Sequence, residues 1–318
     1  MLRFALGCLL AILFIPLRAQ TPTTNAAPAD QALANSAAPA PKQAVDLAGC
    51  TVERFTVSSP SMGRDIKVAV IMPPGYADNS TKTYPILYIM HGVAAAYDCF
   101  TAMSTLLSGL KDKPMVVAMF DADNSSFYLD TPVPQRWNRD KTDTSTAKSL
   151  FTTFFFDEYI PAIDKKYRVN PKERMLTGFS MGGYGAFHYM LAKPEMFCSV
   201  SSMSGAFLDL SQPLDDKTKT WVERLYGPMA DHAAEYQAID EFAEVKAAGA
   251  KGVKLPPIRL CVGTEDHLMK PNEQMRDLLK SLGYSCEYEE SPGKHNWVFW
   301  KGAMPDILDF HWRTLPKN

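Results

Sequence analysis

The apolar positions after residue 50 fall into short runs whose spacing predicts β-strands. Every second residue of Asp65–Met72 is a large apolar one, a pattern typical of a strand with one covered face. Pro85–Met90 and Met115–Phe120 are continuous apolar runs, as expected for strands covered on both faces. Five further runs complete a set of eight predicted strands: Thr51–Ser58, Arg174–Phe179, Cys198–Met203, Pro257–Gly263 and Cys286–Glu290.

Helical patterns lie between the later strands. Large apolar side chains recur every four residues from Phe151 to Tyr167 and predict one apolar helix face. The other predicted helices are Gly183–Ala192, Asn272–Leu282 and Trp297–Leu315, the last with a kink at Pro305.

Strands that are first paired by turns and then alternate with helices predict an α/β fold. We expect a mostly parallel eight-stranded sheet with helices on both faces. Phe207–Leu255 contains no clear strand, and we expect either a helical insertion over the site or a long surface connection. Ligands bind such sheets at the carboxyl ends of the strands, so functional residues should directly follow strands.

The N-terminal residues have the layout of a secretory signal peptide. Arg3 precedes an unbroken apolar run from Phe4 to Ile15, and Ala19 suits the position before a cleavage site. The run is shorter than the roughly 20 residues that cross a bilayer. We therefore expect residues 1–19 to be removed, with export to the periplasm or the extracellular space and no stable membrane insertion after cleavage. Residues 20–49 are rich in Ala, Pro and Thr and predict a disordered linker before a domain spanning residues 50–318.

Composition narrows the class of protein further. Hydrophobic residues make up 46% of the chain, enough for a sizeable core, and the net charge is −2. The chain has no basic patch of the kind that would indicate nucleic acid as a partner. No zinc-type ligand spacing is present, so we expect neither a metal nor a cofactor. Export would leave an odd number of cysteines, which we expect to be mostly structural, with one disulfide possible. These residues are Cys50, Cys99, Cys198, Cys261 and Cys286.

One short motif carries the candidate chemistry. The segment from Gly178 to Gly182 reads G-x-S-x-G between a predicted strand and a predicted helix, which is the context of a nucleophile elbow. In so tight a turn Ser180 must adopt strained backbone angles, and the glycines remove side chains that would clash. The following helix N-terminus favours developing negative charge. We predict that Ser180 is a nucleophile; the alternative is a glycine-rich turn capping a buried helix.

A serine hydroxyl is a weak nucleophile that needs a base. The order of nucleophile, acid and histidine in this fold leaves four histidines as candidates. His295 follows a predicted strand in a loop before the last helix, at the edge of the sheet where functional residues are expected. We therefore predict that His295 is the base. His311 is expected to be a packing or surface residue. His267 is expected to point elsewhere, and His232 to be exposed.

The acid should follow the preceding strand, where the chain reads Thr264-Glu265-Asp266. Asp266 is the predicted acid, since it could hold the imidazole in one tautomer. Glu265 is the alternative, and an acidic pair after a strand could also be only a helix cap.

An oxyanion hole needs two backbone N–H groups. The residue after the nucleophile, Met181, supplies one. The second should come from the loop after Pro85–Met90, with Val93 as the predicted donor and Ala94 as the alternative. His91 is expected to anchor this loop by its ring.

These motifs together resemble a family of esterases. It includes S-formylglutathione hydrolase (esterase D), secreted feruloyl and acetylxylan esterases, and the antigen 85 mycolyltransferases. The resemblance extends from about Val52 to Trp312. This sequence differs from the family at Val93-Ala94-Ala95-Ala96, where many members have glycines. The most specific landmark is GFSMGGYGA around Ser180. The other landmarks are MPPGY at Met72–Tyr76, YPILYIMHG at Tyr84–Gly92, DADNSSFY at Asp121–Tyr128, DEYIPAIDKKYRV at Asp157–Val169, GTEDHL around Asp266 and PGKHNWVFW around His295.

The resemblance implies an α/β-hydrolase fold, no cofactor, and a monomer or small oligomer. It also implies triad roles for Ser180, Asp266 and His295, and oxyanion roles for Val93 and Met181. The export signal favours the secreted carbohydrate-esterase branch.

The expected reaction is therefore ester hydrolysis through an acyl-enzyme, on acyl or feruloyl esters of a sugar or another small alcohol. The alternatives are acyl transfer to a sugar hydroxyl and a non-catalytic exported binding protein on the same scaffold. Four aromatic residues could line the substrate pocket or belong to the core: Phe127, Tyr128, Tyr184 and Trp297.

Overall fold

The computed structural model of the protein describes residues 47–78, 80–131 and 148–317. The predicted signal peptide and the linker up to residue 46 lie outside these ranges, so both stay predictions. Within the described ranges, no helix combines the length and the apolar character needed to cross a membrane.

Eight strands form one sheet, as predicted, in the order β1-β2-β4-β3-β7-β8-β9-β10. β2 pairs antiparallel with β1 and with β4, and the other neighbouring strands are parallel. Two short strands, β5 and β6, form a separate ribbon. The strands are β1 Thr51–Ser59, β2 Arg64–Met72, β3 Tyr84–Met90, β4 Val116–Phe120, β5 Asp130–Thr131, β6 Ser149–Leu150, β7 Val169–Gly178, β8 Ser199–Met203, β9 Ile258–Gly263 and β10 Cys286–Ser291.

The helices confirm the alternating pattern and add elements that periodicity did not predict, such as α1. Gly283, two residues after α8, has φ of +79°, a conformation that glycine adopts without strain, so the helix ends there. The α-helices are α1 Ser104–Gly109, α2 Phe151–Thr153, α3 Ile160–Lys166, α4 Met181–Ala192, α5 Asp216–Val222, α6 Ala233–Gln237, α7 Glu241–Ala250, α8 Met269–Ser281 and α9 Trp297–Arg313.

Alternate side chains of the inner strands enter two separate hydrophobic clusters, one on each face of the sheet. Val68 and Val70 of β2 belong to one cluster, together with side chains of α4. Ile71 of β2 belongs to the other, together with side chains of α1 and α9. The helices thus cover both faces, which explains why inner strands such as β3 and β4 are apolar throughout.

The segment between β6 and β7 departs from regular four-residue spacing. A π-helical turn, Phe154–Tyr159, separates α2 from α3. A π turn takes more residues than an α turn and shifts which positions face inward. Phe154 and Phe156, which the four-residue spacing did not include, are therefore buried beside Phe155.

The predicted insertion, Phe207–Leu255, is helical in part and carries α5, α6 and α7. α7 packs against α4, and the hydroxyl of Tyr184 donates to the carbonyl of Ile239, 2.8 Å away. The hydroxyl of Tyr226 donates to the carbonyl of Asp130. The insertion is thus fixed to the helix that follows the G-x-S-x-G motif.

The cysteines of the described residues are all free thiols, so the disulfide that the sequence left possible does not form among them. Burial raises the pKa of Cys261 to about 12, which keeps this thiol protonated and unreactive.

The sequence predicts that His311 is a packing or a surface residue. It lies on α9 and is fully buried, so it is a packing residue. Its Nδ1 lies 2.8 Å from Ser199 Oγ, and its Nε2 lies 2.9 Å from Ser201 Oγ. Burial lowers the pKa of His311 to about 3, so the ring is neutral in the folded protein over most of the pH range.

We expect His311 to make the protein less stable in acid. An imidazole in the unfolded chain takes up a proton near roughly pH 6.5, whereas folded His311 does so only at about pH 3. The unfolded state therefore binds more protons in this window, and the free energy of unfolding falls as the pH falls through it. His311→Gln should give a flatter pH dependence than the wild type in urea unfolding. His232→Gln, at a partly exposed position, is the control, and parallel curves for wild type and His311→Gln would contradict the assignment.

Candidate active site

Ser180 occupies a strained turn between β7 and α4. Its backbone angles are φ 55° and ψ −121°, which a non-glycine residue adopts only when its surroundings hold it there. The N–H of Ser180 donates to the carbonyl of Met203, and the carbonyl of Ser180 accepts from Ala206 N–H. These two bonds tie the serine to the end of β8 and fix where its hydroxyl points.

The glycines of the motif are required by backbone contacts. A Cβ on Gly178 would lie 2.3 Å from the carbonyl oxygen of Gly182. A Cβ on Gly182 would lie 2.1 Å from the carbonyl oxygen of Met90 and 2.8 Å from that of His91. Gly182 therefore allows the turn to approach the loop after β3.

Gly182→Ala should severely destabilise the protein. The clashing atoms belong to the backbone and cannot rotate away, so we expect a loss of about 3 kcal/mol in the free energy of unfolding, the upper end of what overpacking typically costs. Gly302→Ala is the matched control, because it lies within α9 and a Cβ added there would meet nothing within 4 Å. This control should gain about 0.5–1 kcal/mol. Urea unfolding of both variants measures the difference, and equal stabilities would refute the close approach at Gly182.

Three side chains that the sequence singled out form a continuous hydrogen-bonded line. Ser180 Oγ lies 2.9 Å from His295 Nε2. His295 Nδ1 lies 2.9 Å from Asp266 Oδ2 and 3.1 Å from Asp266 Oδ1. Ser180 follows β7, Asp266 follows β9 and His295 follows β10, so all three lie at the carboxyl edge of the sheet.

The Asp266 carboxylate is buried and ionised. Burial alone would raise its pKa, but hydrogen bonds from His295, from Leu268 N–H and from the Ser204 hydroxyl outweigh burial and lower the pKa below its usual value. An ionised carboxylate only accepts hydrogen bonds, so the proton between the two side chains belongs to Nδ1 of His295. Nε2 then presents its lone pair to the hydroxyl of Ser180.

Glu265, the alternative acid, faces away from this line. Its side chain is exposed and lies 3.5 Å from Lys294 Nζ. Neither acid caps α8, because its N-cap is Leu268 and no side chain caps it; Asp266 Oδ1 instead accepts from Leu268 N–H in the turn just before the helix. One carboxylate thus holds both the loop and the imidazole.

The prediction that His267 points elsewhere is wrong. Its Nδ1 lies 3.6 Å from Asp266 Oδ1, and its ring meets the ring of His295 edge-on at 4.6 Å between centroids. The reason is local: the bond from Leu268 N–H to the Asp266 side chain curls the chain back. Burial and the neighbouring His295 lower the pKa of His267 more than Asp266 raises it, which favours a neutral ring.

Several residues that support the site gave no usable sequence signal. Trp300 meets the His295 ring edge-on at 5.1 Å, and its Nε1 donates to Ser204 Oγ, 3.3 Å away. Asn272 is fully buried and donates to the carbonyl of Gly205. The one available signal for Trp300 is that it lies near His295 in the sequence. Asn272 has no such signal, because a single asparagine within a helical pattern is typical of a surface residue.

The loop after β3 is anchored by His91, as expected. The ring is buried, its Nδ1 donates to the Gly92 carbonyl 2.9 Å away, and its Nε2 accepts from Ala122 N–H at 3.0 Å. Burial lowers the pKa of His91, so the ring stays neutral and can accept that bond. The loop is thereby tied to the segment that follows β4.

Val93 and Ala94 are the two candidate N–H donors of this loop. Ala94 N–H already donates to the carbonyl of Asn124, 2.9 Å away, which disfavours Ala94 as an oxyanion donor. Val93 is the preceding residue and is buried. Met181 is the first residue of α4, where helix N–H groups have no carbonyl one turn earlier.

The four candidate pocket aromatics are buried in the hydrophobic core, which favours the core alternative. The hydroxyl of Tyr128 donates to the His91 carbonyl, and Tyr184 meets Phe127 edge-on. Trp297 packs edge-on against Phe179. We therefore assign none of the four to substrate contact.

A mostly parallel eight-stranded sheet with a strand–serine–helix turn at its carboxyl edge defines a protein of the α/β-hydrolase class. Residues 59–311 match the model of the family described as "Putative esterase". The chain belongs to this family, and it is a carboxylic-ester hydrolase.

Relatives with known names are similar over much of the chain. An acetyl esterase of Caldicellulosiruptor saccharolyticus is 25% identical over 243 residues, which are 73% of this chain and 85% of that protein. The diacylglycerol acyltransferase/mycolyltransferase Ag85A of Mycobacterium leprae is 30% identical over 203 residues, covering 63% of this chain. The match spans only about half of that protein, 56% of its length. Among solved structures, a ferulic acid esterase superposes with a TM-score of 0.67 at 21% identity, over 84% of this chain and 99% of that one.

Proposed function

We propose that the protein hydrolyses esters by two-step acyl transfer through an acyl-enzyme on Ser180. The observation that carries this proposal is the line of hydrogen bonds from Ser180 Oγ through His295 to Asp266. A nucleophile, a base and a group that orients the base are the parts this chemistry requires.

In the first step, Ser180 Oγ attacks the ester carbonyl while His295 Nε2 takes the hydroxyl proton. Asp266 stabilises the imidazolium that forms. The carbonyl oxygen gains the negative charge and is held by the backbone N–H groups of Met181 and Val93. His295 then gives its proton to the departing alcohol oxygen, which leaves the acyl group on Ser180.

In the second step, water takes the place of the alcohol. His295 accepts a proton from the water as its oxygen attacks the acyl-enzyme carbonyl. The second tetrahedral intermediate collapses, Ser180 Oγ regains a proton from His295, and the carboxylic acid leaves.

We propose that the substrate is an acyl or feruloyl ester of a sugar or another small alcohol. Support comes from the similarity to an acetyl esterase and to a ferulic acid esterase fold. A panel of acetyl, butyryl and feruloyl esters with product identification tests this. We expect release of an acid and an alcohol from at least one member of the panel. Turnover of none of them by folded protein would reject this substrate class.

Acyl transfer to a sugar hydroxyl is the second candidate. It is favoured by the 30% identity to the mycobacterial acyltransferase/mycolyltransferase. The two reactions share the acyl-enzyme and differ only in whether water or an alcohol accepts the acyl group. Added sugar acceptors should leave the yield of free acid unchanged in a hydrolase, whereas a new sugar ester would identify a transferase.

We also propose that the protein is exported, on the basis of Arg3, the apolar run from Phe4 to Ile15 and Ala19. Expressed in its source cells, the mature chain should begin near residue 20. N-terminal sequencing that found Met1 on a cytosolic protein would reject export.

A further inference from the structure

Three potential metal ligands converge on the side of His295 that faces away from Ser180. Asp266, His267 and His295 each offer a ligand atom, and these atoms lie within 4.8 Å of one another. The Nδ1 of His295 lies 2.9 Å from Asp266 Oδ2. The Nδ1 of His267 lies 3.6 Å from Asp266 Oδ1. Two imidazoles and a carboxylate form a ligand set typical of zinc sites with an open fourth position.

The spacing of these atoms suits a tetrahedral metal. Zinc binds histidine nitrogen and carboxylate oxygen at about 2.0–2.2 Å, so two ligands of one ion lie roughly 3.3 Å apart. The separations of 3.1 Å and 3.6 Å from Asp266 Oδ1 to Nδ1 of His295 and to Nδ1 of His267 bracket this value. The side chain of His267 is 58% exposed, whereas those of Asp266 and His295 are nearly or fully buried. His267 therefore gives an ion a path from solvent to the two inner ligands.

We propose that this cluster is an inhibitory site for a divalent transition metal of the zinc type. Nitrogen ligands favour such ions over Mg²⁺ or Ca²⁺, which prefer oxygen ligands. The inference rests on the proposed role of His295 as the base, since inhibition follows from what the metal does to that ring.

The inhibition arises from the imidazole tautomer. In the metal-free site, Nδ1 carries the proton and Nε2 has the lone pair that faces Ser180 Oγ, 2.9 Å away. A metal bound at Nδ1 needs that lone pair, so the single proton of the neutral ring moves to Nε2. Nε2–H can then only donate, and it no longer accepts the proton of Ser180. Metal binding at Nδ1 and acceptance of the Ser180 proton at Nε2 therefore exclude each other.

This arrangement predicts a particular kinetic signature. The metal lies behind the imidazole and not between Ser180 and the loop after β3, so it leaves substrate binding intact. Zn²⁺ should therefore lower kcat and leave KM unchanged, and a chelator should restore the full rate.

His267→Ala tests the site, because His267 is the one ligand outside the proposed catalytic line. We expect this variant to keep its basal activity and to need at least about 10-fold more Zn²⁺ for half-inhibition, since losing a residue that merely orients a metal ligand already costs about 10–100-fold in affinity. His232→Ala is the matched control, since His232 is a partly exposed histidine beside an acidic residue, Glu235. Its inhibition curve should match that of the wild type. Equal inhibition of wild type and His267→Ala, for example through a thiol, would overturn the proposal.

A binding measurement separates the metal site from the reaction. Calorimetric titration of the Ser180→Ala protein with Zn²⁺ should give one site, and the added His267→Ala change should weaken it by the same factor. Binding that depends on His267 in an active enzyme that Zn²⁺ does not inhibit would leave the metal site standing and reject His295 as the base. No Zn²⁺ binding by a protein that hydrolyses esters would reject the metal site and leave the proposed function intact.

Discussion

Ser180→Ala should lower kcat/KM for ester hydrolysis by about 10⁴-fold or more, because no other group can form the acyl-enzyme. The hydroxyl hydrogen-bonds with His295, and the strained backbone is held by main-chain bonds to Met203 and Ala206 that alanine keeps. The free energy of unfolding should therefore change little. Steady-state kinetics together with urea unfolding of the purified variant measures both quantities.

Ser108→Ala is a suitable control, since Ser108 is an exposed serine of α1. It should leave the kinetics unchanged. A Ser180→Ala protein with near-full activity would show that the nucleophile lies elsewhere.

Asp266→Asn should also be severe, by about 10⁴-fold in kcat, as the corresponding change is in another serine triad. The amide that replaces the carboxylate can donate a hydrogen bond to Nδ1 of His295. This favours the tautomer with its proton on Nε2, where the base needs a lone pair. The loss should appear in kcat more than in KM, because no substrate contact changes.

Glu265→Gln is the matched change one residue earlier. Glu265 is exposed and faces Lys294, so this variant should stay within about twofold of the wild type, as surface substitutions do. If Glu265→Gln is the more damaging of the two, the acid is assigned to the wrong residue.

Most of the fold follows from local pattern. The clearest inner strands, β3 and β4, are short apolar runs with both faces covered, so each run is continuous and easy to recognise. Ser180 followed from the G-x-S-x-G motif, whereas Asp266 and His295 followed from the chain order of nucleophile, acid and histidine and from the rule that ligand-facing residues follow the strands of a parallel sheet. The structure brings these three within hydrogen-bonding distance.

What the sequence missed depends on particular side-chain contacts, one of them local and the others between distant segments. The orientation of His267 follows from a side-chain bond to Leu268 N–H, which no spacing rule encodes. Asn272 joins α8 to the carbonyl of Gly205 across 67 residues of sequence. Tyr184 is buried where the insertion packs on α4, and its hydroxyl donates to the carbonyl of Ile239. Periodicity reports which face of an element is buried and not what lies against it.

Every step of the proposed reaction requires Ser180 to be an activated nucleophile. Labelling with a fluorophosphonate, followed by mass spectrometry of the peptides, tests this directly. We expect one adduct, on Ser180, that is absent from Ser180→Ala and strongly slowed in His295→Ala. Folded wild-type protein that stays unlabelled, or that carries its adduct on another serine, would contradict the assignment of Ser180.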